Sequence, residues 1–158
     1  MKESLFGNGL YENSVLCGID EAGRGPLAGP LVVAGVILSK EISDARDSKK
    51  LSIKARERLS AEILANSKYH IVITESDKID EMGISKALRD SLLEIKEHLN
   101  AEIYLYDGNC NFNVHGISTM IKADDKINEV SCASIIAKVC RDNIMDELAS
   151  TYPNYSFS

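Results

Sequence analysis

Residues 18–30, GIDEAGRGPLAGP, join two apolar segments, SVLC (14–17) and LVVAGVIL (31–38). Both segments are rich in Val, Leu and Ile, and we predict strands over residues 14–20 and 30–38. The connection holds four glycines, two prolines, one arginine and two adjacent acids. Because glycine lets the main chain approach other groups closely, this loop has the composition of a binding loop as well as of a turn.

The rest of the chain alternates between helical and strand patterns. Four Leu and Ile side chains recur at helical spacing and predict an amphipathic helix over residues 85–99. The polar stretch 39–52 is predicted as a loop, with Ser52 as the N-cap of the following helix. The remaining predicted elements are a helix to about residue 67, strands at 68–75, 101–109 and 116–122, and a helix at 130–149. This order predicts one α/β domain over residues 1–158, with a mixed central sheet of about five strands flanked by helices.

Composition limits the class of protein. The net charge is −6, which argues weakly against a nucleic-acid partner unless several acids gather at a metal site and leave basic groups to line a groove. No apolar run is long enough to span a bilayer, and residues 1–13 lack the apolar core of a signal peptide. We therefore expect a cytoplasmic protein with no membrane partner.

The four cysteines form no CxxC pair and match no zinc-binding spacing. Cys17 lies in a strand pattern, and Cys132 and Cys140 lie in a helical one. We interpret them as small buried hydrophobic side chains in a reducing compartment.

Carboxylates follow three of the predicted strands: Asp20 and Glu21, then Asp107, then Asp124 and Asp125. In α/β folds, ligand-binding groups collect at such strand ends. Two carboxylates 4 Å apart repel by roughly 4 kcal/mol at an effective dielectric constant of about 20, so a convergent group requires protons or cations. Oxygen ligands without His or Cys suit Mg²⁺ or Mn²⁺. Two such ions would clamp the attacking and leaving oxygens of a phosphodiester.

Each acid also has a simpler interpretation. Asp107 with Gly108 is a common turn pair, and Asp124 with Asp125 fits a solvated loop. The first pair could end a strand that faces water. The adjacent loop favours a site there: Gly23 and Gly25 flank Arg24, whose planar guanidinium suits a phosphate, while exposed main-chain groups could contact a sugar hydroxyl. The alternative for this element is a tight turn with a solvent-facing arginine.

Four separate stretches resemble type 2 ribonuclease H, also called ribonuclease HII. They are residues 18–30, DSKKLS (47–52), YDGN (106–109) and KADDKINEVSCASIIAKVCRD (122–142). The resemblance implies the ribonuclease H-like fold and Mg²⁺- or Mn²⁺-dependent hydrolysis of the RNA strand in RNA–DNA hybrids. It also implies incision of duplex DNA 5′ to an embedded ribonucleotide, the first step in removing misincorporated ribonucleotides. The partners would be these two nucleic acids, bound by a monomer.

The resemblance also implies site residues. The four catalytic, metal-binding acids correspond to Asp20, Glu21, Asp107 and Asp124. The last is chosen over Asp125 because Lys122-Ala123-Asp124 aligns with the family's Lys-Gly-Asp, from which the alanine departs.

Substrate-binding positions follow in the same way. The residues Gly23, Arg24 and Gly25 correspond to a family element whose backbone senses the ribonucleotide 2′-hydroxyl. In DSKK, Ser48 and Lys49 correspond to positions near the substrate backbone.

The last predicted helix supports a substrate role from its own spacing. Ser134, Lys138 and Arg141 share one helical face, where a hydroxyl and two cations could bind phosphates. The alternative is a solvated face, with Arg141 paired to Asp142 or another acid.

The reaction expected from this family is metal-dependent hydrolysis that leaves 5′-phosphate and 3′-hydroxyl ends. The 2′-hydroxyl would serve recognition only, since the three histidines lie in a strand, a helix and a loop and indicate no acid–base pair (His70, His98 and His115).

Three alternatives are weighed against this function. Type 3 ribonuclease H carries an additional N-terminal domain, whereas only about a dozen residues precede the first strand here. A calcium-binding module would need a loop such as DxDxDG, which the sequence lacks. A catalytically impaired hybrid-binding module is the third, because the sequence ends at TYPNYSFS where the family continues into Lys-Gly-Tyr-Gly-Thr and a further helix. From this we expect a domain truncated at its C-terminus.

Overall fold

The computed structural model describes residues 14–24 and 28–151 and contains a five-stranded sheet in the order β3-β2-β1-β4-β5. The strands are β1 (Leu16–Ala22), β2 (Leu31–Leu38), β3 (Ser67–Thr74), β4 (Ile103–Asp107) and β5 (Ile117–Met120). The helices are α1 (Ile53–Ala65), α2 (Ser76–Met82), α3 (Ile84–His98) and α4 (Asn128–Thr151). The predicted mixed sheet with flanking helices is confirmed.

Among the described strands, two pairs are antiparallel and two are parallel. A short loop joins β1 to β2, and these strands pair antiparallel, as do β2 and β3. The strand β4 follows two helices and pairs parallel with β1, and β5 pairs parallel with β4. Strand β5 follows β4 through residues 108–116 without a helix, whereas the parallel pairing of β4 with β1 uses a long connection that contains helices. As a result, the C-terminal ends of β1 and β4 lie side by side.

Helices cover both faces of the sheet. Cys17 and Ile19 of β1 pack in one buried cluster with Leu88 and Leu92 of α3. On the other face, side chains of β2 pack with α1 and α4, including the fully buried Ile63. Alternation along the strands therefore divides the core into two layers.

Gly18 allows α4 to lie directly on β1. A Cβ atom at this position would lie 2.4 Å from both the Glu129 carbonyl carbon and the Val130 nitrogen. Backbone atoms cannot move aside as a flexible side chain can, so only glycine fits without displacing the helix. This contact fixes the first turn of α4 close to the strand that carries Asp20.

Two regions differ from the sequence predictions. The polar stretch predicted as a loop contains a 3₁₀ helix over Ser43–Lys50, and its preceding residue Ile42 exchanges two 2.7 Å hydrogen bonds with the Asn128 side chain. Helix α2 was not predicted, because none of its side chains is buried and it leaves no apolar pattern. The predicted cap is confirmed: the Ser52 hydroxyl accepts a hydrogen bond from the Ala55 amide.

The cysteines largely follow the prediction. Cys17 and Cys132 are buried, and burial raises the pKa of each thiol to about 12. Cys140 is half-buried and Cys110 is exposed. Within the described ranges, the helices are all too short or too polar to cross a membrane.

We expect Gly18→Ala to lower the free energy of unfolding by about 3 kcal/mol or more, since the new methyl group overlaps helix backbone. The measurement is urea unfolding followed by circular dichroism. The comparison variant is Gly83→Ala, where φ is +89° and ψ is 152° but no atom lies within 4 Å of the new Cβ; backbone strain alone should cost about 1–3 kcal/mol. A smaller loss in Gly18→Ala than in Gly83→Ala would contradict this account of the helix contact.

Candidate active site

Three acids converge at the C-terminal ends of β1 and β4. Asp20 lies in β1 and Asp107 ends β4, and the parallel register that pairs Ile19 with Tyr106 brings the two acids side by side. Asp124 joins them from a 3₁₀ turn over Ala123–Asp125. One carboxylate oxygen of each acid lies within 4.8 Å of those of the other two.

The turn that carries Asp124 is held from both sides. Lys122 adopts a left-handed conformation with φ of +59°, which turns the chain after β5. The buried Ala123 amide donates a 3.3 Å hydrogen bond to Asp107 Oδ1. The Ser131 hydroxyl donates to the Asp124 carbonyl. The expectation that Asp124 lies at a strand end is wrong, because β5 already ends at Met120.

Crowding of the acids changes their protonation. Burial, with the nearby Glu21 and Asp107 carboxylates, raises the pKa of Asp20 to about 9. Burial and the adjacent Asp124 raise the pKa of Asp107 to about 6. Both shifts mean that negative charge is disfavoured here without a compensating cation. An all-oxygen set of this kind fits a hard divalent cation such as Mg²⁺ or Mn²⁺.

Glu21 lies beside this group but outside it. One of its oxygens, Oε1, is 3.7 Å from the Arg24 guanidinium. The other, Oε2, is buried and has no hydrogen-bond partner among the described residues, and the same holds for the neighbouring Tyr106 hydroxyl. Burial, followed by the Glu21 charge, raises the pKa of Tyr106 above its ordinary value. A buried carboxylate oxygen without a partner is a further position that a cation would satisfy.

The glycine-arginine element is only partly visible. Gly23 has a φ of +96°, and a Cβ there would lie 2.4 Å from both the Arg141 Nε and the Pro30 carbonyl oxygen. Arg24 is exposed, with its guanidinium carbon 5.5 Å from the centre of the Phe112 ring. Gly25 lies outside the described residues.

The other predicted substrate-binding residues line one groove. Ser48, Lys49, Ser134 and Lys138 border a cavity of about 300 Å³, together with Arg56. The sequence analysis missed Arg56, although it follows the Ser52 cap by one helical turn and so lies beside the DSKK motif. A neighbouring cavity of about 390 Å³ shares Arg56 and Lys138 and adds Arg141.

Lys138 and Arg141 each contact a neighbouring group. Lys138 is 3.8 Å from Asp142, an exposed pair that contributes little to stability. Arg141 is held by a main-chain group and not by Asp142, the partner considered from the sequence. Its Nε donates a 2.9 Å hydrogen bond to the Pro30 carbonyl. Its side chain thereby fastens the end of the glycine-rich loop to α4.

Lys49 connects the groove to the acids. Its ammonium nitrogen lies 3.2 Å from an Asp125 oxygen and 3.3 Å from an Asp124 oxygen. Both contacts raise the pKa of Lys49, and the hydrogen bond with Asp125 has the largest single effect. The lysine side chain is exposed, so it can exchange these acids for another anion that enters the groove.

The shifted pKa of Asp20 predicts a pH dependence for the metal-free protein. The folded state holds this proton up to a pKa of about 9, and the unfolded state releases it near 3.8. Within that window the folded state binds more protons, so the free energy of unfolding falls as pH rises, by at most about 1.4 kcal/mol per pH unit. Asp20→Asn keeps an oxygen for the Glu21 amide and should remove this decline.

The measurement is urea unfolding with a chelator present, at several pH values from 6 to 9. The matched control is Asp80→Asn, an exposed acid on α2, which should follow the parent. An identical pH dependence in the parent and in Asp20→Asn would count against the protonated Asp20.

Comparison with known proteins identifies the family. The family model described as ribonuclease HII matches residues 17–157. The ribonuclease HII of Sulfurovum sp. (strain NBC37-1) is 54% identical over 146 residues, covering 92% of this chain and 78% of that protein. The ribonuclease HII of Aliarcobacter butzleri (strain RM4018) is 57% identical over 144 residues, covering 90% and 75%.

A solved structure agrees with the sequence relatives. The chain matches one from the PCNA:RNase HII complex of Archaeoglobus fulgidus with a TM-score of 0.81 and 32% identity, over 90% of this chain and 80% of that one. The fold is therefore the ribonuclease H-like fold. Together with the carboxylate cluster, these matches show that the chain belongs to the ribonuclease HII family of divalent-metal-dependent endonucleases acting on RNA–DNA hybrids.

Proposed function

We propose that this protein incises duplex DNA 5′ to an embedded ribonucleotide and cleaves the RNA strand of RNA–DNA hybrids, leaving 5′-phosphate and 3′-hydroxyl ends. The observation that carries the proposal is the group formed by Asp20, Asp107 and Asp124, whose oxygens lie within 4.8 Å of one another. Family membership supplies the class of reaction. The position of cleavage, 5′ to the ribonucleotide, and the residues that carry out the reaction are part of what we propose.

The acids are proposed to hold two ions, Mg²⁺ or Mn²⁺. When bound, such ions activate water for attack on phosphorus and stabilise the departing oxygen. Asp20, Asp107 and Asp124 supply the central ligand set, and Glu21 contributes its partnerless Oε2 from the adjacent position. The raised pKa values of Asp20 and Asp107 imply that protons compete with cations, so affinity for metal should increase with pH.

The protein's own groups orient these acids. The Ala123 amide holds one oxygen of Asp107 and so fixes the orientation of this carboxylate. The Ser131 hydroxyl fixes the Asp124 peptide. Positioning by neutral donors adds no charge to the site, and it keeps the acids in place before a cation arrives.

The groove beside α4 is proposed to bind the substrate backbone. Four predicted residues line it, and the side chains of Lys49 and Lys138 bring positive charge to an otherwise acidic protein. Basic groups in such a groove bind phosphates without reading sequence. Lys49 lies between the groove and Asp124, so phosphates bound there would lead toward the acids.

The loop residues Gly23, Arg24 and Gly25 are proposed to recognise the ribonucleotide. The backbone at Gly23 has a positive φ next to the acids, and a main-chain group there could contact a 2′-hydroxyl, which distinguishes RNA from DNA. We further propose that the protein acts as a cytoplasmic monomer and that residues 1–158 form one catalytic domain. The four cysteines, all without disulfide partners, support a reducing location.

Asp107→Asn and Asp124→Asn should each reduce incision of a DNA duplex containing one ribonucleotide by at least about 100-fold, because each removes a charged ligand from the metal centre. The assay uses a labelled duplex with Mg²⁺ or Mn²⁺. Asp125→Asn is the matched control, since this exposed acid adjoins Asp124 and lies outside the convergent group; it should retain activity within about tenfold.

Two results would oppose the proposed chemistry. One is equal loss of activity in Asp124→Asn and Asp125→Asn, which would remove the distinction between the two acids. The other is the absence of incision by the parent while it still binds metal, which would leave binding without turnover. Cleavage on the 3′ side of the ribonucleotide would refute the proposed position of incision.

Lys138→Gln should raise KM at moderate salt by several-fold and leave kcat within about twofold, because it removes a phosphate contact outside the acid cluster. In a plot of log affinity against log salt concentration, the slope should become less steep by about 1, which corresponds to the loss of one phosphate contact. The control is Lys86→Gln, a lysine paired with Asp90 on α3. An unchanged salt slope in Lys138→Gln would exclude this lysine from the substrate interface.

A further inference from the structure

A second group of metal-ligating side chains lies on the sheet face covered by α3. His70 on the edge strand β3 places its Nε2 2.7 Å from Glu94 Oε2, and the His98 ring stacks on the His70 ring with centroids 4.0 Å apart. Glu94 and His98 are four residues apart on α3 and so share one helical face. One ligand atom of each residue lies within 4.8 Å of those of the other two.

We propose that His70, Glu94 and His98 form a zinc-binding site. Two imidazoles and one carboxylate are a ligand set that Zn²⁺ uses when it keeps a fourth position open. The set differs from the all-oxygen group of Asp20, Asp107 and Asp124, which suits harder ions.

The tautomer of His98 already suits a metal ligand. Its Nδ1 lies 2.9 Å from the Glu94 main-chain oxygen, which can only accept a hydrogen bond, so Nδ1 carries the proton. The neutral ring then has its lone pair on Nε2. A metal-ligating histidine is commonly oriented by just such a bond from its other nitrogen to a backbone carbonyl.

Zinc binding requires a local rearrangement of these side chains. Ligand atoms about 2.0–2.1 Å from a tetrahedral ion are roughly 3.4 Å from one another, so the 2.7 Å contact between His70 Nε2 and Glu94 Oε2 must widen, and any pair near the 4.8 Å limit of the group must approach. The two rings are nearly parallel, with an interplanar angle of 6°, and one ring must turn so that both lone pairs meet at the ion. His98 can turn because it is exposed and is the last residue of α3, and the turn would bend its bond to the Glu94 carbonyl. His70 Nε2 donates a hydrogen bond to Glu94 Oε2, so zinc bound at this nitrogen must displace that proton to solvent.

The proposed site is separate from the acids. His70 pairs in the sheet with Gly35, where a Cβ would contact Ile95 of α3. Asp20 is two residues after Gly18 in β1, so both lie on the same face of the sheet. That face is covered by α4 and is opposite to the face that carries His70. A bound ion would link the edge strand β3 to the end of α3, and would therefore stabilise this part of the fold without contacting the nuclease centre.

The test is zinc titration by calorimetry of the full chain in excess Mg²⁺, which competes with zinc for the acidic group. The parent should bind one Zn²⁺, and its thermal midpoint should rise as zinc is added. Because the sequence has three histidines, imidazole NMR can follow each one. The signals of His70 and His98 should shift with zinc, and that of His115 should not.

Variants separate this site from other zinc ligands. His70→Gln and His98→Gln should each weaken zinc binding by at least about tenfold, since loss of even an outer-shell partner has an effect of that size. His115→Gln, in the exposed loop before β5, and Cys110→Ser, at the exposed thiol, should bind as the parent does. Asp107→Asn should also retain the site.

Several outcomes would overturn the proposal. They are absence of zinc binding in the parent, undiminished binding in the His70→Gln, His98→Gln double variant, and loss of binding in His115→Gln or Cys110→Ser. Metal-free thermal midpoints near that of the parent show that the variants are folded. A failure of nuclease activity would not affect these measurements, because they report only on zinc.

Discussion

Parallel pairing of β1 with β4 determines where the acids of the proposed metal site lie. The pairing places Asp20 beside Asp107, and the turn before α4 adds Asp124 at the same edge. The position of Asp124 depends in turn on Gly18, since a side chain there would push α4 and its preceding turn away from β1. The tight packing of one strand and one helix is therefore a requirement of the chemistry as well as of the core.

The centre is a place where stability and function have opposite requirements. Burying Asp20 next to Glu21 and Asp107 disfavours its charged form, and the raised pKa expresses that cost. A protein selected only for stability would replace one of these acids with a neutral side chain. A bound cation would relieve the repulsion among these acids, so the same crowding that costs stability would favour cation binding.

Sequence patterns predicted the parts of the fold that local periodicity controls. The amphipathic helix near residues 85–99 and the strand-end acids Asp20 and Asp107 follow from hydrophobic spacing. The 3₁₀ helix over Ser43–Lys50 was missed because Ala45 is its only buried apolar side chain. The choice of Asp124 needed the family resemblance, since the left-handed Lys122 leaves no local signal. Arg56 and the His70–His98 stack depend on packing between distant elements, which spacing along one element cannot reveal.

The bond from Arg141 to Pro30 has a mechanical consequence. One side chain of α4 touches both flanks of the glycine-rich loop, through the Pro30 carbonyl and through the space that Gly23 leaves open. The same helix carries Ser134 and Lys138 along the groove. A shift of α4 would therefore move both flanks of the glycine-rich loop together, because one side chain of this helix contacts both of them.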